Sequence, residues 1–219
     1  MQMIAMSEKK IVAHLVKKYH PLGIILHGSR SGNYATQHSD WDFFVLSAEK
    51  ISAKRRHDPL WIGKEFIDTM VWQFPIVKSD LKKYFAKYCG IAKLVYCSDP
   101  SVTKMFSQIK AIHEQGVHLT TKEIFLAKKE IEQALIRLHD WMEDDLGVFF
   151  LRAADIYQTL YNSWWNVKNN AYSVSPRQGL PIIKSKDKKF FHLLQTISSN
   201  SNNLKKYRAL LSAKEYIFR

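Results

Sequence analysis

Cysteine is nearly absent from this chain: Cys89 and Cys97 are two thiols in 219 residues. Neither has a partner at metal-ligand spacing, and both are expected to be small buried hydrophobes in a reducing compartment. The nine histidines are scattered, with no His-x3-His or Cys-x2-Cys grouping, which removes support for a structural zinc site. Also missing is any apolar run near the ~20 residues that span a bilayer. Met1 to Met6 carry no basic segment before Ser7-Glu8-Lys9-Lys10, so no secretory signal is expected. The expectation is a soluble, cytoplasmic protein with no membrane partner.

Acidic residues are the scarcer charge, 20 against 33 Lys and Arg, for a net +13. The excess is spread, about +8 before residue 111 and +5 after it, so it does not mark a basic tail. Such a balance attracts polyanions, a nucleoside triphosphate or a nucleic acid such as tRNA among them. Lysine used merely to solvate surfaces has the same signature. With 46% hydrophobic and 13% aromatic residues, the chain can bury a sizeable core of one large or two small domains.

One stretch organises the rest: His27 to Asp42, set between the apolar runs Ile24-Ile25-Leu26 and Phe43-Phe44-Val45-Leu46. A strand over 22–27 ends in Gly28-Ser29, and a second strand opens with Asp40-Trp41-Asp42. Residues two apart in a strand share a face, so Asp40 and Asp42 are expected side by side. Like charges that close repel, and hard oxygen donors suit Mg2+ or Mn2+ as the remedy. Gly28 lets the backbone approach a phosphate, and the Ser29 hydroxyl and nearby N-H groups donate to its oxygens. Arg30 either adds a charge-assisted phosphate contact or is only solvated.

This pattern, Gly28-Ser29, ten intervening residues and Asp40-Trp41-Asp42 inside a strand, resembles the nucleotidyltransferase superfamily related to DNA polymerase beta. The resemblance implies a third carboxylate on a later strand. Asp68, inside the apolar run Phe66 to Phe74, matches by context. Glu65 is the competitor, with a surface ion pair to Lys64 as its bland alternative. The resemblance further implies two Mg2+ ions held by Asp40, Asp42 and Asp68, with Gly28, Ser29 and Arg30 at the nucleotide. It implies transfer of a nucleoside monophosphate from a nucleoside triphosphate such as ATP to a hydroxyl, releasing pyrophosphate.

Other segments follow from periodicity. Ser7 is expected to cap a helix carrying Ile11, Leu15 and Tyr19. The connection Lys50 to His57, with Lys54-Arg55-Arg56, reads as an exposed face or loop. Two β segments join at Gly63-Lys64. A helix capped by Ser79 is expected to bury Leu81, Tyr84, Phe85 and Tyr88, and a strand over 92–97 leads through an Asp99 turn to a helix carrying Val102 to Ile112. This extends the likeness to about residue 115.

Beyond it the pattern is helical. Thr120 to Glu123 is a capping box opening a long helix with an acidic break over 140–147. Another helix over 148–168 carries Tyr157, Tyr161, Trp164 and Trp165, a stripe that either packs a core or stacks a ring. Residues 169–180 read as a loop, followed by helices near 188–196 and 204–218. The expected fold is α+β: a small mixed sheet with flanking helices (residues 1–115), then a C-terminal helical bundle (residues 116–219). In general plan that bundle is similar to those of kanamycin-type and lincosamide-type antibiotic nucleotidyltransferases, where it holds the acceptor.

The acceptor stays open among such an antibiotic, for which Glu143-Asp144-Asp145 offers acidic character, a tRNA end, and a protein hydroxyl. The rival class is a basic nucleotide- or nucleic-acid-binding module without turnover. An antitoxin-like partner, dimerising through the aromatic helices, is a third.

Overall fold

Apolar runs buried on both faces need helices on both sides, and the first unit is built that way. The computed structural model describes residues 8–32, 34–51 and 55–219, in two units that divide between Glu114 and Gln115. The Ser7 cap and Lys54 lie outside the described residues, as do the Glu143 and Asp144 side chains.

In the first unit β1 (Gly23–His27) and β2 (Trp41–Ser47) pair antiparallel. Strand β5 (Glu65–Gln73) lies parallel to β2. β3 (Arg55–His57) and β4 (Leu60–Ile62) both pair antiparallel with β5, and β6 (Lys93–Cys97) closes on β1. The order is β3-β5-β2-β1-β6, with β4 also on β5.

Alternation sends Ile24, Leu26, Phe43, Val45, Ile67 and Val71 to one face, against Ile11, Leu15 and Tyr19 of α1 (Glu8–Tyr19). Ile25, Phe44, Leu46 and Trp72 take the other face. They meet Leu81 and Phe85 of a continuous helical stretch made of α2 (Lys78–Asp80), a wider π turn (Leu81–Phe85) and α3 (Ala86–Tyr88). Val102, Met105 and Ile109 of α4 (Pro100–Gln115) complete that layer. The Asp99 carboxylate starts α4, accepting from the Ser101 backbone N-H at 2.8 Å and from its hydroxyl at 2.6 Å.

The second unit is helical. Thr120 and Glu123 form a reciprocal capping box at the start of α5 (Thr121–Asp144). Asp145 accepts from the Val148 N-H at 3.0 Å and caps α6 (Leu146–Ser163), which runs into a π turn, Trp164–Lys168. α7 (Pro176–Lys186), α8 (Lys188–Ser199) and α9 (Asn203–Ile217) follow. Their core joins Leu135, Phe149, Leu160, Ile183, Phe190 and Leu210. The α+β class is therefore the observed one: a mixed sheet flanked by helices, then helices alone. Among the described residues no helix is long and apolar enough to cross a membrane.

Several expectations change. The basic connection ends in a strand, β3, because Arg55 to His57 pair with Trp72 to Met70. The acidic stretch is no wide break: α5 continues to Asp144 and only Asp145 leaves helical geometry. The loop over 169–180 contains the start of α7, where Pro176 sits in the first turn, tolerant of a missing N-H. Cys97 is exposed, unlike buried Cys89. Ser79 does not cap its helix, which starts at Lys78 with Val77 at the cap position. Tyr161, Trp164 and Trp165 are buried in the helical core, with the Trp164 indole N-H donating to Asp187 at 2.8 Å. The stripe is core, and those rings are not presented to a ligand or a second copy.

Asp58 ties α1 to the sheet: its Oδ2 accepts from the Tyr19 hydroxyl at 2.8 Å and lies 3.4 Å from Lys18 and 3.3 Å from Arg56. Burial pushes its carboxyl up, but the Tyr19 hydroxyl and the two cations more than offset this and hold it below its ordinary 3.8. A carboxyl depressed in the folded state stabilises above its unfolded value and loses that contribution as pH falls through the folded value. Asp58→Asn is therefore expected to lower stability at pH 7 by about 1 kcal/mol. In melting curves taken against pH, the variant and the wild type should converge well below 3.8.

Candidate active site

The parallel register of β2 and β5 sets Asp42 directly beside Asp68. Asp42 also faces His27 across the antiparallel β1 pair. Strand alternation then puts Asp42, Phe44, Asp68, Met70 and Trp72 on one face. Asp40 lies in the loop just before β2 and is exposed, so it is not held by strand alternation as expected. Its charge nevertheless reaches Asp42. Burial first, then the Asp40 and Asp68 charges, push the Asp42 carboxyl from 3.8 up to about 7.

Gly28 ends β1 at φ 69° and ψ −159°, a conformation close to glycine-only. A Cβ placed there would strike the Asp42 carboxylate, so the backbone passes Asp42 with no room for a side chain. Ser29 begins a single 3-10 turn, Ser29–Ser31, closed by the Ser31 hydroxyl donating to Gly28 O at 2.8 Å.

Arg30 is engaged inward. Its Nε donates to Ser39 O at 2.9 Å and Asp40 O at 3.0 Å, and its Nη2 to Ser39 O at 2.5 Å. The guanidinium lies 4.4 Å from the Trp41 ring centroid and 3.4 Å from Glu65. It therefore clamps the loop that delivers Asp40 and Asp42, with its side chain only 15% exposed. Glu65, expected to pair with Lys64, instead takes Arg30 and the Trp41 indole N-H at 3.1 Å. With its side chain only 11% exposed, Glu65 belongs to this clamp and not to the carboxylate pair.

Two histidines without an expected role, His27 and His57, complete the surroundings. His57 Nε2 stands 2.5 Å from Asp68 Oδ1. The His27 ring lies 4.0 Å from that of Phe44, and burial, partly offset by the Asp68 charge, lowers its pKa to about 4. It is neutral at pH 7. His27 was discoverable from its place just before Gly28 in an apolar strand; His57 was hidden in a run read as a charged loop.

Asp40, Asp42 and Asp68 offer only hard oxygen donors, and their mutual repulsion is of the kind that a divalent cation relieves. The donor chemistry fits Mg2+. The three are not gathered into one ligand cluster, however: among the described residues no group of three His, Cys, Asp or Glu side chains is placed to hold a metal ion.

Gly28→Ala should lower unfolding free energy in urea by about 1–3 kcal/mol, through backbone strain and displacement of the Asp42 carboxylate. Gly63→Ala is its control. Gly63 also has a positive φ, 62°, but has open space around it, so it should lose only the strain component, about 1 kcal/mol.

No protein-family model and no curated protein matches the sequence. Among solved structures, the chain is similar to a nucleotidyltransferase-like protein from Exiguobacterium sibiricum 255-15. The TM-score is 0.49 at 9% identity, over 96% of this chain and 72% of that one.

Proposed function

We propose that the chain is a Mg2+-dependent nucleotidyltransferase that moves a nucleoside monophosphate from a nucleoside triphosphate to an acceptor hydroxyl. The observation that carries this reading is the Asp42 and Asp68 pair on adjacent parallel strands, with the Gly28 backbone pressed against Asp42. Asp42 and Asp68, joined by Asp40, would hold the metal. Bound there, Mg2+ supplies the positive charge that offsets carboxylates and triphosphate and lowers the pKa of the acceptor hydroxyl.

The protein's own groups divide the remaining work. Gly28 and Ser29 hold the β- and γ-phosphates through backbone N-H groups and the Ser29 hydroxyl. Arg30 serves the nucleotide indirectly, by fixing the loop before β2. The acceptor oxygen bonds to the α-phosphorus as the bond from that phosphorus to the bridging oxygen breaks. Pyrophosphate leaves with the electron pair, and the hydroxyl proton passes to Asp68 Oδ2, whose neighbour Oδ1 is held by His57. A small-molecule acceptor is favoured over tRNA or a protein side chain. An antibiotic as that acceptor rests on the sequence resemblance alone. The absence of a ready three-ligand cluster among the described residues favours a second reading, a nucleotide-binding module without turnover.

Two measurements separate these. With Mg2+, each nucleoside triphosphate and a mixture of hydroxyl acceptors, wild type should release pyrophosphate, and Asp42→Asn or Asp68→Asn should lose at least about a hundredfold. Bound nucleotide with no pyrophosphate from any mixture would support the module instead. Without divalent cations Asp42→Asn should melt above wild type, because it removes a half-buried charge beside two others. Added Mg2+ should raise the wild-type midpoint and leave the variant nearly unmoved.

A further inference from the structure

Below the carboxylates the same sheet face opens into a cavity of about 330 Å³. Its walls are mostly aromatic, with Phe44, Trp72, Tyr84 and Tyr88 joined by the His27 ring. Among the described residues the cation that lines it is Arg55, whose guanidinium lies 4.3 Å from the Tyr84 ring centroid and 5.4 Å from that of Trp72. Trp72 is 3% exposed, yet among the described residues its indole N-H has no hydrogen-bond partner. A buried donor left without an acceptor is costly, and Trp72 is one of the residues lining the cavity.

We infer that this cavity is the acceptor subsite, and that it takes a planar heteroaromatic ring, neutral or anionic, carrying a hydrogen-bond acceptor for Trp72. The flat walls stack a ring, the indole N-H pairs its acceptor atom, and Arg55 disfavours a polycation. Its place along the strands decides which substrate enters. Asp42 and Asp68 stand at one end of the cavity and Trp72 lies four residues further along β5, whereas Gly28 lies beyond the carboxylates at the end of β1. This rests on the nucleotidyl-transfer reading, which assigns the leaving pyrophosphate to Gly28-Ser29. In-line displacement brings the nucleophile from the opposite side, which is the cavity side. The acceptor class is thus a hydroxyl compound attached to such a ring, as in a nucleoside.

The test uses the full chain, ligand-detected NMR, the four common ribonucleosides as ring probes, and a non-hydrolysable ATP analogue with Mg2+ as the donor probe. At least one nucleoside should bind with the analogue already saturating. Arg55→Ala, an exposed position on β3, and Trp72→Phe, which keeps a ring but removes the N-H, should each weaken it roughly fivefold. Analogue affinity should change less than twofold.

Displacement of the nucleoside by the analogue, with analogue affinity falling in both variants, would assign the cavity to the donor's base and overturn the inference. So would a wild type that binds no nucleoside, or a nucleoside affinity that neither variant alters. If nucleosides bind and the variants weaken them while the analogue does not bind, the ring subsite stands and the transfer reading falls.

Discussion

Everything at the candidate site depends on one register, Asp42 against Asp68 in the parallel β2 and β5 pair. Two carboxylates on neighbouring strands oppose folding, and they are tolerated because the strands are held by apolar contacts on both sheet faces. A slip of β2 by one residue would send Asp42 into the apolar layer against α1 and take Phe43 and Val45 out of it, so hydrophobic burial enforces the electrostatic conflict. The raised Asp42 pKa reflects its burial first and that imposed proximity second. The surrounding sheet does not relax it.

The loop before β2 is governed by a second constraint, the Arg30 clamp. One guanidinium satisfies two loop carbonyls, stacks on Trp41 and meets Glu65. A planar cation with five donors can serve several fixed acceptors at once, which lysine cannot. The residue with the most obvious affinity for phosphate is thereby committed to shape.

What was legible in the sequence was whatever rests on local pattern. Strand runs on either side of Gly28, the Thr120 capping box and the Asp99 turn are written in neighbouring residues. The Asp42 and Asp68 partnership is implied by the family resemblance, which calls for a third carboxylate, with Asp68 picked out as an acid among apolar residues. Pairings that depend on distant residues were not legible: Glu65 with Arg30 is 35 residues apart, and His57 with Asp68 joins a short charged strand to a long apolar one. The start of α7 was missed because Pro176 and Gly179 speak for a loop, and only packing of Gly179 against Tyr161 shows why a small residue sits there. Trp164 and Trp165 show the same limit, since helical spacing alone does not distinguish a core ring from a stacking one.

The edge formed by β3 has a consequence for how copies of this chain meet. Its three residues, Arg55, Arg56 and His57, are all exposed, and the strand is too short to offer more than a brief ladder. A sheet edge is a template for another strand, and this one presents two fixed positive charges to any copy that approaches it. Edge-to-edge growth of the sheet on that side would bring like charges together with little hydrogen bonding in return. The strand that contributes Arg55 to the aromatic cavity therefore also disfavours, by its charge and shortness, the pairing of copies through its own edge.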